Sequence, residues 1–139
     1  MNIQQNISFK LKNIEIGQSS LTAIDYAVAN DVVFKFNINI EHLVNIDQNL
    51  IVIKPTVAIF VEDEKSILAN LSVNLVFEIE DLANYAIEKE VKLPSDIVIA
   101  MNSISISTLR GIMFSTFKGT YLHNAILPVI DPKSFHVNK

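Results

Sequence analysis

The sequence predicts an α+β fold in which a four-stranded antiparallel β-meander is packed by one long helix in the C-terminal half. Two observations support this prediction. Residues 7–80 contain four stretches of alternating apolar and polar side chains, which is typical of strands with one buried face. Residues 94–119 form a long apolar stretch bounded by a helix start and a helix stop signal. With 139 residues, the chain is long enough to bury one core, so we expect a single domain over residues 1–139.

The first predicted strand alternates irregularly. Ile7, Phe9 and Leu11 share one face, and the apolar positions change face near Asn13. Such a change indicates a β-bulge or a local twist, because one extra residue reverses the alternation. Residues 17–30 are predicted to be a connection with at most short regular structure.

The other three strands alternate more regularly. The second begins at Phe34 and ends before a turn at residues 47–49, the third spans residues 50–61, and the fourth spans residues 67–79. Pro55 lies inside the third strand. Because proline has no N–H to donate, it predicts an edge position, a bulge or a break in the pairing.

The long helix is predicted from its ends. Pro94 presets a helical φ for a start at residues 94–96, and Gly119 is typical of a helix stop. A competing interpretation exists for residues 103–107, where serine and isoleucine alternate as they do in a strand. We favour the helix, since the bounded stretch is too long for an ordinary strand. It is apolar on more than one side, which indicates a second cover besides its own sheet.

Two shorter segments flank the helix. Residues 81–92 are predicted to cross from the fourth strand to the helix, with Leu82, Tyr85 and Ile87 packed against the sheet edge. Residues 120–130 are predicted to be a return loop, and Asp131-Pro132 resembles a further helix start.

Composition excludes several classes of function. Half of the residues are hydrophobic and only 19% are charged, which favours subunit contacts or a surface that binds other chains. The formal net charge of −4 argues against a nucleic-acid partner. The absence of cysteine excludes disulfides and thiolate chemistry and fits a cytoplasmic location. The N-terminus lacks the pattern of a secretory signal, and we expect no membrane insertion.

No catalytic or metal-binding pattern stands out. His42, His123 and His136 are far apart and lack the spacing of metal ligands. There is no G-x-S-x-G nucleophile motif, and three glycines in the whole chain form no phosphate-binding loop. Acidic residues at 62–64 and 78–90 are more typical of solvated charge than of a catalytic carboxylate pair. We therefore expect a protein that is not an enzyme and has no metal or cofactor.

Several motifs together resemble the SecB family of export chaperones, and the resemblance covers nearly the whole chain. They comprise Phe9-Lys10-Leu11 in the first strand, Val76-Phe77-Glu78-Ile79 at the end of the fourth, Leu93-Pro94 at the helix start, Gly119-Thr120-Tyr121 after the helix, Leu127-Pro128-Val129, and Phe135. The segment from Gly119 to Val129 is the most specific part of the resemblance.

The resemblance implies a homotetramer, formed as a dimer of dimers, that holds unfolded or precursor polypeptides in apolar grooves. By analogy with the family groove, the residues expected to contact a polypeptide are Phe77, Ile79, Leu82, Tyr85 and Tyr121. The alternative is that these residues belong to the core or to a subunit interface, as apolar residues of a buried strand face usually do.

The sequence departs from the family at the positions that resemble its contacts with the translocase motor ATPase. Gln18, Thr22 and Asn70 stand where family members carry acids, while Leu68 keeps an apolar neighbour, and an acidic C-terminal tail is missing. A neutral surface attracts a basic motor segment poorly. Three hypotheses therefore remain: a general holdase, a binding module for one dedicated partner, and a small-ligand binder or enzyme that uses the groove.

Overall fold

Four antiparallel strands form one sheet, and a 23-residue helix lies on one of its faces. The computed structural model describes residues 8–29, 31–62 and 66–134. In chain order, the elements are β1 (Phe9–Leu21), β2 (Phe34–Asn45), β3 (Leu50–Val61), β4 (Ile67–Ile79), the short strands β5 (Ala86–Ile87) and β6 (Glu90–Val91), and the helix α1 (Ser95–Phe117). Short 3-10 helices span Leu82–Tyr85 and Pro132–Ser134.

The α+β fold class is confirmed, with one difference in strand order. β2, β3 and β4 form the predicted meander, but β1 pairs with β4, so the order is β1-β4-β3-β2. The physical reason lies in the connection over residues 22–33. A short turn would force β1 and β2 to pair, whereas this stretch is long enough to cross the roughly 14 Å between the two sheet edges.

β1 contains two irregularities. The pairing with β4 shifts between Leu11 and Asn13, which confirms the predicted bulge, and again between Ile16 and Gln18. The second shift surrounds Gly17, where a Cβ atom would lie 2.7 Å from the hydroxyl oxygen of Ser72. The prediction that residues 17–30 contain at most short structure is wrong for residues 17–21, because two bulges conceal the alternation that would have revealed the strand.

Pro55 produces a break in the β3–β4 pairing rather than an edge or a bulge. β3 is an interior strand, and it pairs with β4 at Ile53 and again at Thr56 in an unchanged register. No pairing with β4 occurs at Lys54 or Pro55. The missing N–H of proline therefore interrupts the pairing locally and leaves the register of the two strands unchanged.

α1 forms where the start and stop signals predicted it. It begins after Pro94 and ends at Phe117, and Gly119 has a φ of +83°. The strand interpretation of residues 103–107 is wrong, because Ser105 is fully buried on the helix and its hydroxyl donates to the Met101 carbonyl at 2.8 Å. The serine-isoleucine alternation lies within a helix whose inner face admits a small polar residue.

The core lies between α1 and the two central strands, β3 and β4. The buried helix residues recur every three or four positions, as expected for one helical face; they are Met101, Asn102, Ser105, Ile106, Leu109, Met113 and Phe117. By length and apolar composition alone α1 could cross a bilayer, but helices buried in the core of soluble proteins meet the same criterion. Here its inner face packs on the sheet.

A buried polar link joins the sheet to the helix and to the C-terminal segment. His42 is 5% exposed on the inner face of β2, and its Nε2 lies 2.8 Å from Oδ1 of the fully buried Asn102. The Asn102 amide nitrogen donates to the Pro132 carbonyl at 3.4 Å. Since Oδ1 can only accept, Nε2 carries the imidazole hydrogen, and the buried Nδ1 has no partner among the described residues. Burial lowers the pKa of His42 below its usual value.

Leu109→Ala tests the packing of α1 on the sheet. Leu109 is fully buried, so the variant should lose about 2–5 kcal/mol of unfolding free energy, measured by urea denaturation. The matched control is Ile104→Ala on the same helix, which should lose about 1 kcal/mol or less because Ile104 is 37% exposed. Equal losses in the two variants would contradict the assigned helix face.

His42→Gln tests the buried polar link through pH. Lowering the pH below about 6.5 should destabilise the unaltered protein, because the unfolded state then binds a proton that the folded state resists. The contribution of the neutral His42 imidazole to stability should therefore be fully present above about pH 6.5, and it should decline as the pH falls toward the lower pKa of His42 in the folded state. Glutamine can still donate to Asn102 but does not titrate. Urea midpoints at pH 7.5 and 5.5 should differ more for the unaltered protein than for His42→Gln; equal differences would count against the link.

Candidate polypeptide-binding surfaces

Three of the five predicted groove residues lie in the core of the single chain. Phe77 and Ile79 are on the inner face of β4, Leu82 follows just after it, and all three side chains are fully buried. The backbone N–H of Leu82 donates to the Asn49 side chain at 3.0 Å, which fixes the chain where it leaves the sheet. Contact of these three residues with a polypeptide stays a prediction.

The other two predicted residues lie at opposite ends of the sheet. Tyr85 is half-buried just beyond the end of β4. Tyr121 is also half-buried, and its hydroxyl donates to the Thr22 carbonyl at 2.5 Å and lies 3.3 Å from the Leu68 carbonyl. Leu68 and Ile79 are separated along β4 by about 36 Å, at roughly 3.3 Å per residue. The five residues therefore do not line one short groove. Burial, and secondarily the nearby Tyr26, raises the pKa of Tyr121.

An uncovered apolar strip runs along β1, and sequence reasoning missed it as a site. It consists of Leu11, Ile14, Ile16 and Leu21, which are 39%, 43%, 58% and 41% exposed. Their partners on β4, such as Phe77 and Leu75, share the same sheet face and are fully buried. The difference arises because α1 packs mainly on β3 and β4. We call these four residues the β1 strip.

β1 is also an edge strand. It is 13 residues long and pairs on one side only, with β4. An edge with free backbone N–H and C=O groups is a template for pairing with another strand. Proteins usually protect such an edge with charges or a covering element, but the β1 strip places apolar side chains next to it. This part of the molecule is therefore suited to contact with a further chain.

A second exposed apolar surface lies on the segment that crosses from β4 to α1. β5 and β6 form a small hairpin, and Glu88 at its turn has a φ of +59°. Ile87 is 55% exposed, so the prediction that it packs against the sheet is wrong, whereas Leu82 packs as predicted. The hairpin pairs with itself and carries Ile87 away from the core. We call Tyr85 and Ile87 the crossover surface.

The outer face of the sheet is neutral where the family resemblance suggested acids. Gln18 pairs with Ser72 and Ser20 with Asn70, so Gln18 and Asn70 are close on adjacent strands. Thr22 donates from its hydroxyl to the Ile67 carbonyl at 3.1 Å, and Leu68 is only 1% exposed. This area therefore offers neither carboxylates nor an exposed leucine to a basic partner.

The charged part of the outer face lies at the other end of β1 and β4. The bulge after Leu11 brings Lys12 to Glu78 at 3.1 Å, and Lys10 lies 3.5 Å from the same carboxylate. The hydrogen bond from Lys12 is the main cause that lowers the pKa of Glu78. These exposed ion pairs connect β1 with β4 at this end and do not extend to the neutral area around Gln18 and Asn70.

The structure brings no metal-ligand set together within the residues that it describes. His42 is bound to Asn102 in the core, and His123 contacts the Thr120 carbonyl at 2.9 Å in the return loop. His136 lies outside the described residues, as does Phe135, the last motif residue of the family resemblance.

Comparison with known proteins shows similarity in structure rather than in sequence. No protein-family model matches this chain, and no curated protein sequence matches it. The structure resembles the Mycobacterium tuberculosis Rv1957 SecB-like chaperone, which was solved in complex with a ChAD peptide from the Rv1956 HigA1 antitoxin. The TM-score is 0.65 at 9% sequence identity, over 88% of this chain and 89% of that chain. This similarity shows that the chain has a SecB-like fold.

Proposed function

We propose that this chain is a chaperone-like holdase that binds extended apolar segments of unfolded or precursor polypeptides. The observation that carries the proposal is the apolar surface that the single chain leaves uncovered at the β1 strip and the crossover surface. Such binding requires apolar area and free backbone groups rather than reactive side chains. The SecB-like fold supports the proposal, because the similar mycobacterial protein is a chaperone that was solved with a bound peptide.

The two surfaces have different partners in this proposal. The β1 strip pairs with the β1 strip of a second copy, because a symmetric dimer needs a patch that is complementary to itself, and an edge strand can pair with its own copy in antiparallel orientation. Two such dimers would give the tetramer implied by the family resemblance. The crossover surface, which includes the predicted groove residue Tyr85, then remains for the polypeptide client.

A second candidate function is a binding module for one dedicated partner. The mycobacterial protein supports it, since the peptide in that structure comes from a single antitoxin. The neutral outer face supports it too, because Gln18, Thr22 and Asn70 offer no carboxylate to a translocase motor. This second candidate is therefore polypeptide binding without a role in export.

Ile87→Lys tests the crossover surface. The unaltered protein should delay aggregation of a chemically denatured client without nucleotide, measured by light scattering after dilution. Ile87→Lys should lower this protection several-fold, because the lysine charge would have to lose its water when an apolar client segment binds. Ile87 is 55% exposed, so the change itself should not disturb the fold. The control is Val33→Lys, at an apolar position with 56% exposure outside the surface, which should retain protection.

The outcomes separate the two candidate functions. A general holdase should protect several unrelated clients, whereas a dedicated module should protect only its partner and co-purify with it. Equal loss in Ile87→Lys and Val33→Lys would remove the crossover surface from the proposal. No protection of any client, and no co-purifying partner, would overturn both functions.

Oligomerisation is tested by the double variant Ile14→Lys, Ile16→Lys. The unaltered protein should have the mass of a dimer or tetramer by multi-angle light scattering, and the variant should dissociate because two lysines cannot be buried unpaired in an apolar interface. Leu43→Lys is the control, since Leu43 is 51% exposed on the outer face of β2, far from β1. A monomeric unaltered protein would contradict the assigned interface.

A further inference from the structure

A cleft of about 260 Å³ lies between α1 and the chain that returns along it. The helix contributes Ser103, Ile106, Ser107 and Arg110 to its lining. The other wall is formed by Val129, Ile130 and Pro132. The cleft thus combines one cation and two hydroxyls with apolar side chains, and it includes none of the candidate surfaces or predicted groove residues described above.

Arg110 is held in a fixed position. Its Nε donates to the Leu127 carbonyl at 3.0 Å, and its Nη2 donates to the Pro128 carbonyl at 2.9 Å. Two hydrogen bonds from one planar guanidinium leave it little freedom to rotate. The chain that follows α1 therefore fixes the orientation of this cation. A ligand that binds there does not have to order the side chain, so binding loses less conformational entropy.

The guanidinium still has donors to offer. Nη1 carries two N–H groups, and Nη2 carries a second one, for which the described residues provide no partner. The carboxylate that pairs with lysines in the described part of the chain is Glu78, on the outer face of the sheet. Among the residues that the structure describes, the half-buried Arg110 guanidinium is therefore bound only by neutral carbonyl groups.

The lining of the cleft limits the ligand. A planar guanidinium matches the two oxygens of a carboxylate, and the exposed hydroxyls of Ser103 and Ser107 can donate to the same group. A single cation is a poor site for a phosphate, which is usually bound by several charges or a helix N-terminus. Val129 is 98% exposed at the rim and Ile106 is 3% exposed at the base, so residues on either side of the carboxylate would meet apolar contacts.

We propose that this cleft binds an acidic side chain flanked by apolar residues in an extended polypeptide. The inference rests on the proposed function in so far as the ligand is a polypeptide. Arg110 then selects among apolar segments: it favours those with a glutamate or aspartate and disfavours those with a lysine at the same position. The apolar surfaces bind many different apolar segments, and the cleft adds a preference for segments that carry an acidic residue.

Binding of matched peptides tests the proposal. Three labelled nonapeptides, acetylated and amidated, carry glutamate, glutamine or lysine between two leucines and are otherwise identical. Fluorescence anisotropy at low salt should give a dissociation constant about tenfold lower for the glutamate peptide than for the glutamine peptide, and a higher one for the lysine peptide. The glutamate preference should shrink as salt is added.

Ser107→Asp provides the matching change in the protein. Ser107 is exposed and lies three residues before Arg110, so an aspartate there can pair with the guanidinium on the same helix face. It should remove the preference for glutamate, because the added aspartate competes with the peptide carboxylate for the guanidinium. Ser115→Asp, the same change at an exposed serine of α1 outside the cleft, should retain the preference. Neither change touches the carbonyls that Arg110 holds, and light scattering should give both variants the mass of the unaltered protein.

The results that would overturn the proposal are distinct from failure of the proposed function. Equal binding of all three peptides would leave polypeptide binding intact and remove the charge preference. A retained preference in Ser107→Asp would place it outside this cleft. Tight binding of a glutamine peptide with a free terminal carboxylate would show that the cleft takes chain ends instead. Failure of every peptide to bind, together with no protection from aggregation, would overturn the proposed function itself.

Discussion

The width of one helix on a four-stranded sheet determines how much of the apolar inner face of the sheet remains exposed in this molecule. A helix with its side chains is about 10–12 Å across, whereas the axes of the outer strands are separated by roughly 14 Å and their side chains extend further. α1 therefore covers the two central strands, and the inner face of β1 remains partly exposed. The half-buried Phe34, Phe36 and Ile38 show the same effect at one end of β2, whereas Ile40 and His42 further along that strand are buried. The exposed apolar surface follows from this geometry rather than from an unusual composition at the edges.

Much of the fold could be predicted because its signals are local. Alternation located β2, β3 and β4, and Pro94 with Gly119 located both ends of α1. Irregularities near Asn13 and at Pro55 could also be predicted, since each follows from the chemistry of a single residue or from one change of face, although edge, bulge and break all remained open at Pro55. The pairing of β1 with β4 could not, because a long connection leaves the choice of partner to the packing of the whole sheet.

The candidate site was harder to predict, for a different reason. Alternation assigns a side chain to a face but does not say whether another element covers it. Phe77 and Ile14 belong to the same face of adjacent strands, yet one is fully buried and the other 43% exposed, since only one lies under the helix. Likewise, Arg110 gave no signal in the sequence, because its role depends on carbonyl groups 17 and 18 residues further along the chain.

The two hydrogen bonds of Arg110 have a consequence for how this fold can diversify. They fasten a stretch of chain that belongs to no sheet through carbonyls that any residue supplies, in addition to the buried Leu127 and the bond from Asn102 to Pro132. Positions such as Ile126 and Val129 can therefore change identity while the strands and α1 stay as they are. One wall of the cleft becomes an exchangeable part, in which new preferences can arise without altering the scaffold that carries it.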